Sequence, residues 1–237
     1  EADSAGLSLL EAMGGDATEG YARALEPRPF DFPDDHASHP DFRTEWWYAT
    51  NNLFAEDGRR FGVHFTIFRS ALRPALEDGV GGATPAQPGV PEADDAAAAG
   101  DLWAANDVYM GHFALADVER RSFAEAERFT RGAAGLAGSR PGAGAGVGAG
   151  ASAPATAADG RTFRVWMDDW AMESLDAPTP SPDGVFPLRL TARNPAAGTA
   201  IDLVVRPEKP LVLQGDRGLS QKGDEPGNAS YYYSFTR

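Results

Sequence analysis

The sequence predicts an all-β protein of antiparallel strands, closed into a barrel or stacked as a sandwich. Three observations carry that expectation. Apolar and polar residues alternate with a period of two, as in Phe61, Val63, Phe65 and Ile67 against Gly62, His64, Thr66 and Phe68. Turn-forming pairs such as Asp57-Gly58 and Asn194-Pro195 separate the alternating stretches. Long helical patterns are scarce in 237 residues that include 27 Gly and 18 Pro.

Residues 1–29 hold one weak helical pattern, from Gly6 to Leu25, with Leu7, Leu9, Leu10 and Met13 near helical spacing. Its glycines weaken it, since each costs about 1 kcal/mol in a helix interior. The segment is expected to be a flexible leader, with the ordered domain over 30–237. A hairpin then runs from Arg43 to Ser70, turning at Asp57-Gly58. Its second strand has one apolar face and one mixed face, which suits the wall of a ligand cavity and equally a half-exposed sandwich strand.

Residues 73–100 are rich in Pro, Gly, Ala and Asp and predict a long mobile loop. The next strand, "NDVYMGHFALADVE", sets Tyr109, Phe113 and Leu115 on one face and Met110 and His112 on the other. "RRSFAEAERFTRGAAGLAG" fits strand and helix alike. Gly and Ala dominate 132–160, a composition too poor in apolar surface to offset ordering entropy, so a disordered insertion is expected. "RTFRVWMDDWAMESL" follows as one alternating strand, with Arg164, Trp166, Asp168, Trp170 and Met172 on one side. A hairpin turning at Asn194-Pro195 and two short strands, "PLVLQG" and "SYYYSFTR", complete seven or eight strands.

The formal net charge of −14 disfavours nucleic acid and anionic membrane surfaces as partners. With no Cys there is no disulfide, thiolate nucleophile or Cys-based zinc site. No apolar run approaches the roughly 20 residues of a membrane-spanning helix. Gly-x-Ser-x-Gly and glycine-rich phosphate-binding turns are also missing.

The stretch "DDHASHPDFRTEWWYATNNLF" concentrates the remaining chemistry. His36 and His39, near Asp34, Asp35 and Asp41, offer zinc-type ligands without the helical His-x-x-x-His spacing. The alternative is a turn whose side chains tie down backbone amides, and no metal is expected. Glu45 precedes Trp46 and Trp47 on the first strand. Among apolar rings its charged form would be disfavoured, which suits a general acid; the other reading is an ion pair with Arg43 or Arg69. His64 and His112 lie on mixed strand faces and could share a cavity with Glu45, or be histidines satisfied within the core. Trp46, Trp47, Tyr48, Tyr109, Trp166, Trp170 and Tyr232 fall on or beside strands, as lining of a ligand pocket or as an ordinary core.

Six motifs occur in order: "HPDFRTEWWY", "GRRFGVHFTIFR", "NDVYMGHFAL", "FRVWMDDWAM", "LQGDRGLSQKG" and "PGNASYYYS". Together they resemble the N-terminal half of the AttH / carotenoid 1,2-hydratase family, whose members are also called secreted hydrolases or hydroxyneurosporene synthases. The resemblance implies a lipocalin-like barrel, the first of two, with a second barrel absent from this chain as a covalent partner. It implies a lipophilic isoprenoid or polyene ligand, no cofactor and a periplasmic or secreted location. Some members hydrate an isoprenoid double bond by protonating it and adding water. The family's proton donor lies in a second-half Trp-x-Asp motif. "WMDDW" resembles that motif but matches a first-half strand, so no role is carried to Asp168 or Asp169. The sequence therefore presents two expectations: one barrel of a hydratase or isomerase, or a non-catalytic lipid-binding protein.

Overall fold

The computed structural model describes residues 19–74, 105–141 and 162–236. The leader pattern up to residue 18 and most of the two expected insertions lie outside them. Two antiparallel sheets form the body. The first is a meander of β1 (Thr44–Phe54), β2 (Arg60–Ala71), β3 (Asp107–Asp117) and β4 (Ser122–Arg131). The second runs β5 (Ala137–Arg140), β6 (Arg164–Met167), β7 (Trp170–Ser174), β8 (Leu188–Asn194) and β9 (Thr199–Val205). Four short strands follow. Of these, β10 (Val212–Leu213) pairs with β13 (Tyr233–Ser234), and β11 (Leu219–Gln221) pairs with β12 (Ala229–Tyr231).

The protein is thus all-β, with a sheet arrangement compatible with a lipocalin-like fold. Among the described residues the two sheets do not join into one hydrogen-bonded barrel. Strands β1 and β9 are edges, and the gap between them opens into the interior.

Alternation decides which faces meet. Val63, Phe65 and Ile67 of β2 and Phe113 of β3 turn inward onto Val165, Met167, Trp170 and Leu190 of the second sheet. Trp170 is 0 % exposed and meets the rings of Phe65 and Phe113 edge-on, at 5.9 and 6.0 Å between centroids. Its indole N–H donates to the Arg193 carbonyl at 2.9 Å, so the polar tip of the buried ring is satisfied. Gly111 lets the sheets approach: a Cβ there would overlap Met167 Sδ and lie 3.0 Å from the Trp170 ring.

On the outer face of the first sheet, Trp46, Phe68, Met110 and Phe129 are consecutive register partners, forming an apolar row of three rings and a thioether across four strands. The strand β1 that carries Trp46 is a half-exposed edge, not the buried strand its two indoles suggest.

Several sequence expectations change. The strand count rises to thirteen among the described residues. "RVWMDDWAMES" is a hairpin, because Met167 pairs with Trp170 and Asp168 takes φ +51° in the two-residue turn. The turn shifts the alternation by one, so Trp166 and Trp170 do not share a face. The ambiguous segment after Arg120 is β4. Of the insertion expected over 132–160, the described residues to 141 include β5, since 137–140 pair with β6 and Ala137 is buried. At the leader, Tyr21 donates to the Ala71 carbonyl at 2.9 Å and Ala24 is buried, so the segment attaches to the body before residue 30.

Candidate functional site

A cavity of about 1070 Å³ opens between edge strand β1, the end of β9 and the C-terminal stretch that carries β12 and β13. That volume lies just above the usual range for small-molecule sites, about 300–1,000 Å³. Its apolar wall includes Trp47, Leu53, Phe163, Phe186, Leu188 and Leu190. Trp46, Tyr48 and Tyr232 line its mouth side; the Tyr232 ring lies 6.3 Å from Trp46 and hydrogen-bonds Tyr48 through the two hydroxyls.

A ladder of charges closes one end. The short 3-10 helix Asp34–His36 and the turn after it bring Asp35 and His39 toward β1. His39 places Nε2 2.8 Å from Asp35 and Nδ1 2.7 Å from Glu45. The other Glu45 oxygen accepts from Arg69 at 2.8 Å, and Arg69 lies 2.9 Å from Asp107. Arg28 forms a two-pronged pair with Asp35. Burial alone would lower the His39 pKa, but the two flanking carboxylates push it up to about 9, so the ring is an imidazolium with both protons committed. Burial pushes Asp35 up, yet hydrogen bonds from His39, Arg28 and the Asp31 amide hold it well below the usual carboxylate range.

His36 behaves in the opposite way. Burial holds it down to about 4 against the Pro182 hydrogen bond, so it is neutral. Nε2–H donates to the Pro182 carbonyl at 3.0 Å, which leaves Nδ1 to accept. The Tyr233 hydroxyl sits 2.8 Å from both His36 Nδ1 and the Asp35 carbonyl, tying β13 to the 3-10 helix.

The structure brings Glu45, Trp46, Trp47, Tyr48 and Tyr232 together on the cavity. It separates the other expected site residues from them, because strand alternation turns them elsewhere. His64 is on the outer face, with Nδ1 3.0 Å from Thr50 and Nε2 2.7 Å from Thr66. His112 is also outside, against Phe68 and 3.5 Å from Glu127. Tyr109 and Trp170 are core residues. Trp166 packs on Gly138 and donates to the Gly135 carbonyl at 3.0 Å. Glu45 takes the ion-pair alternative with Arg69, and both its oxygens accept strong donors. Among the described residues no cluster of three or more side chains is arranged to hold a metal.

The sequence reading missed His39 as the centre of the charge ladder, together with the wall from Phe186 to Leu190. Their proximity to β1 depends on register and chain path, which spacing along the chain does not reveal.

The profile of the AttH-like family matches residues 23–237. A crystal structure from Nitrosomonas europaea, described as an AttH, is similar at 24% identity and a TM-score of 0.56. The match covers 90% of this chain and 49% of that one, so this chain spans about half the length of its structural relative. No curated protein matches. The six motifs, the paired antiparallel sheets and the profile match all agree: the chain belongs to the AttH-like family.

Proposed function

We propose that this chain is a ligand-holding domain for a lipophilic, unsaturated small molecule of the isoprenoid or polyene type. The observation that carries this reading is the cavity beside β1, whose walls are largely aromatic and aliphatic while Arg28, Asp35, His39 and Glu45 at one end are paired with one another. An apolar ligand lying against those rings displaces water from them, and at the charged end it meets groups already paired within the protein.

Membership of the AttH-like family, together with a relative about twice as long, favours a second reading: this domain serves a longer protein that acts on the bound double bond. In that reading the proton donor is neither Glu45 nor Asp35. Both oxygens of each carboxyl face N–H donors of the protein, and neither residue points a free oxygen at a ligand.

The test is a fluorescence titration with retinol, whose absorption overlaps tryptophan emission. Binding near Trp46 and Trp47 should quench emission saturably, with a stoichiometry of about one, as expected for one cavity. Emission that stays flat to the solubility limit of retinol, and of several other polyenes, would remove the binding reading.

A further inference from the structure

Asn51 stands on the inward face of β1, in line with Trp47, Ala49 and Leu53, all three of which pack against the apolar core. Its register partner is Val63. Its side chain lines the cavity, and Nδ2 is buried without any hydrogen-bond partner. A buried amide donor left unpaired in an apolar stripe is unfavourable, and a leucine-like residue would fill the same position without that cost. One other lining atom is in the same condition among the described residues, Ser230 Oγ on β12.

The charges around the cavity say what kind of group could meet that donor. Arg28, Arg206 and the His39 imidazolium are matched by Asp35, Glu45 and Glu208, so the lining carries no net charge. The whole chain is strongly acidic as well, at −14. Neither feature favours a carboxylate-bearing lipid.

We infer that Asn51 is the polar anchor of the cavity, taking a neutral lipophilic ligand through one hydroxyl or carbonyl oxygen. This rests on the ligand-binding reading above and narrows it from any apolar molecule to an oxygen-bearing one. Nδ2 itself is closed to water while the residue as a whole is half-buried on an edge strand, so the ligand meets it by rotation of the Asn51 side chain toward the cavity. A hydroxyl both donates and accepts and can meet the amide in either orientation. The hydrocarbon part then lies along Trp47 and the wall formed by Leu188 and Leu190.

The experiment compares three ligands of one skeleton, farnesol, farnesene and farnesoic acid, by displacement of bound retinol or directly by calorimetry. Wild-type protein should prefer farnesol to farnesene by about tenfold, the contribution of one newly satisfied buried donor. Farnesoic acid at pH 8 should bind more weakly than farnesol. Asn51→Leu should erase the preference for farnesol and leave farnesene bound at least as tightly, which also shows that the variant is folded. Equal affinity of wild type for farnesol and farnesene would mean that water satisfies Asn51, and the anchor is overturned while the cavity stands. A preference that survives Asn51→Leu, or farnesoic acid binding best, overturns it too. If none of the three binds while retinol does, the anchor is overturned and the cavity stands; if retinol fails as well, the ligand-binding reading falls with it.

Discussion

Glu45 and Arg69 lie directly opposite each other across the β1–β2 ladder and form an ion pair at 2.8 Å, with Arg69 only 2 % exposed. The carboxylate is thereby a brace. It holds the buried guanidinium on one side and the His39 ring on the other. Glu45→Gln leaves Arg69 with Asp107 as its carboxylate partner and with the His39 and Phe42 carbonyls. It is expected to lower stability by about 2 kcal/mol, below the scale for a buried charge left with no partner. Urea unfolding measures this. A Glu45→Gln protein as stable as wild type would show that the ladder carries no structural load.

Stability should peak near neutrality and fall on both sides. The His39 imidazolium is favoured in the folded state by Asp35 and Glu45. Its contribution is complete below the ordinary value of 6.5 and is lost as pH rises through about 9. With screening at the partly open cavity end, that loss amounts to about 2 kcal/mol. His36 is depressed to about 4 by burial, so acidification from 6.5 toward 4 favours the unfolded chain, which takes up the proton first. Asp35, held low by His39, Arg28 and the Asp31 amide against the pull of burial, adds a further loss as pH falls below 3.8. Melting temperatures across this range should fall on both the alkaline and the acid limb, and His39→Gln should flatten the alkaline one. An alkaline limb unchanged in His39→Gln would assign it to another group.

Gly111 faces Met167 and Trp170 where the two sheets are closest. The thioether can swing away, but the indole is locked between Phe65 and Phe113 and hydrogen-bonded to Arg193. Gly111→Ala should therefore destabilise by about 1–3 kcal/mol, as overpacking does in a close-packed core. The same substitution at Gly58, which has open space around it but φ +84°, should cost only the backbone strain, about 1 kcal/mol. Thermal melts of the two variants compare them. Equal losses would mean that sheet contact at Gly111 is looser than its geometry.

Much of the fold was legible because β structure writes itself locally. Phe61 to Phe68 alternates cleanly, and Val63, Phe65 and Ile67 are indeed core residues. The hairpin through Asp168 was not legible: eleven alternating residues look like one strand, and a two-residue turn changes the alternation without a glycine or proline to announce it. The site was legible in half. Trp46, Trp47 and Tyr48 line the cavity because the strand they sit on is an edge, which no periodicity reveals. His64 and His112 share the mixed faces of adjacent strands, as their alternation indicates, but that face points away from the cavity. A mixed strand face looks the same whether it meets a ligand or solvent.

That difference sets the last expectation. If the ligand lies inside, against the inward face of β1, then Trp47 touches it and the outer histidines do not. Trp47 is inward, half-buried and packed on the core, with its N–H donated to the His36 carbonyl at 2.8 Å. Trp47→Ala should weaken binding of a polyene by about tenfold or more, since it strips a large ring from the cavity wall. His64→Ala removes a side chain whose partners are Thr50 and Thr66, and His112→Ala one that rests on Phe68. Each should change the affinity by less than about twofold, because neither reaches the ligand. Titration of the three variants, with urea unfolding to confirm that each is folded, gives the comparison. If both histidine variants weaken binding as much as Trp47→Ala, the ligand sits on the apolar row formed by Trp46, Phe68, Met110 and Phe129. The functional surface would then be the outside of the first sheet.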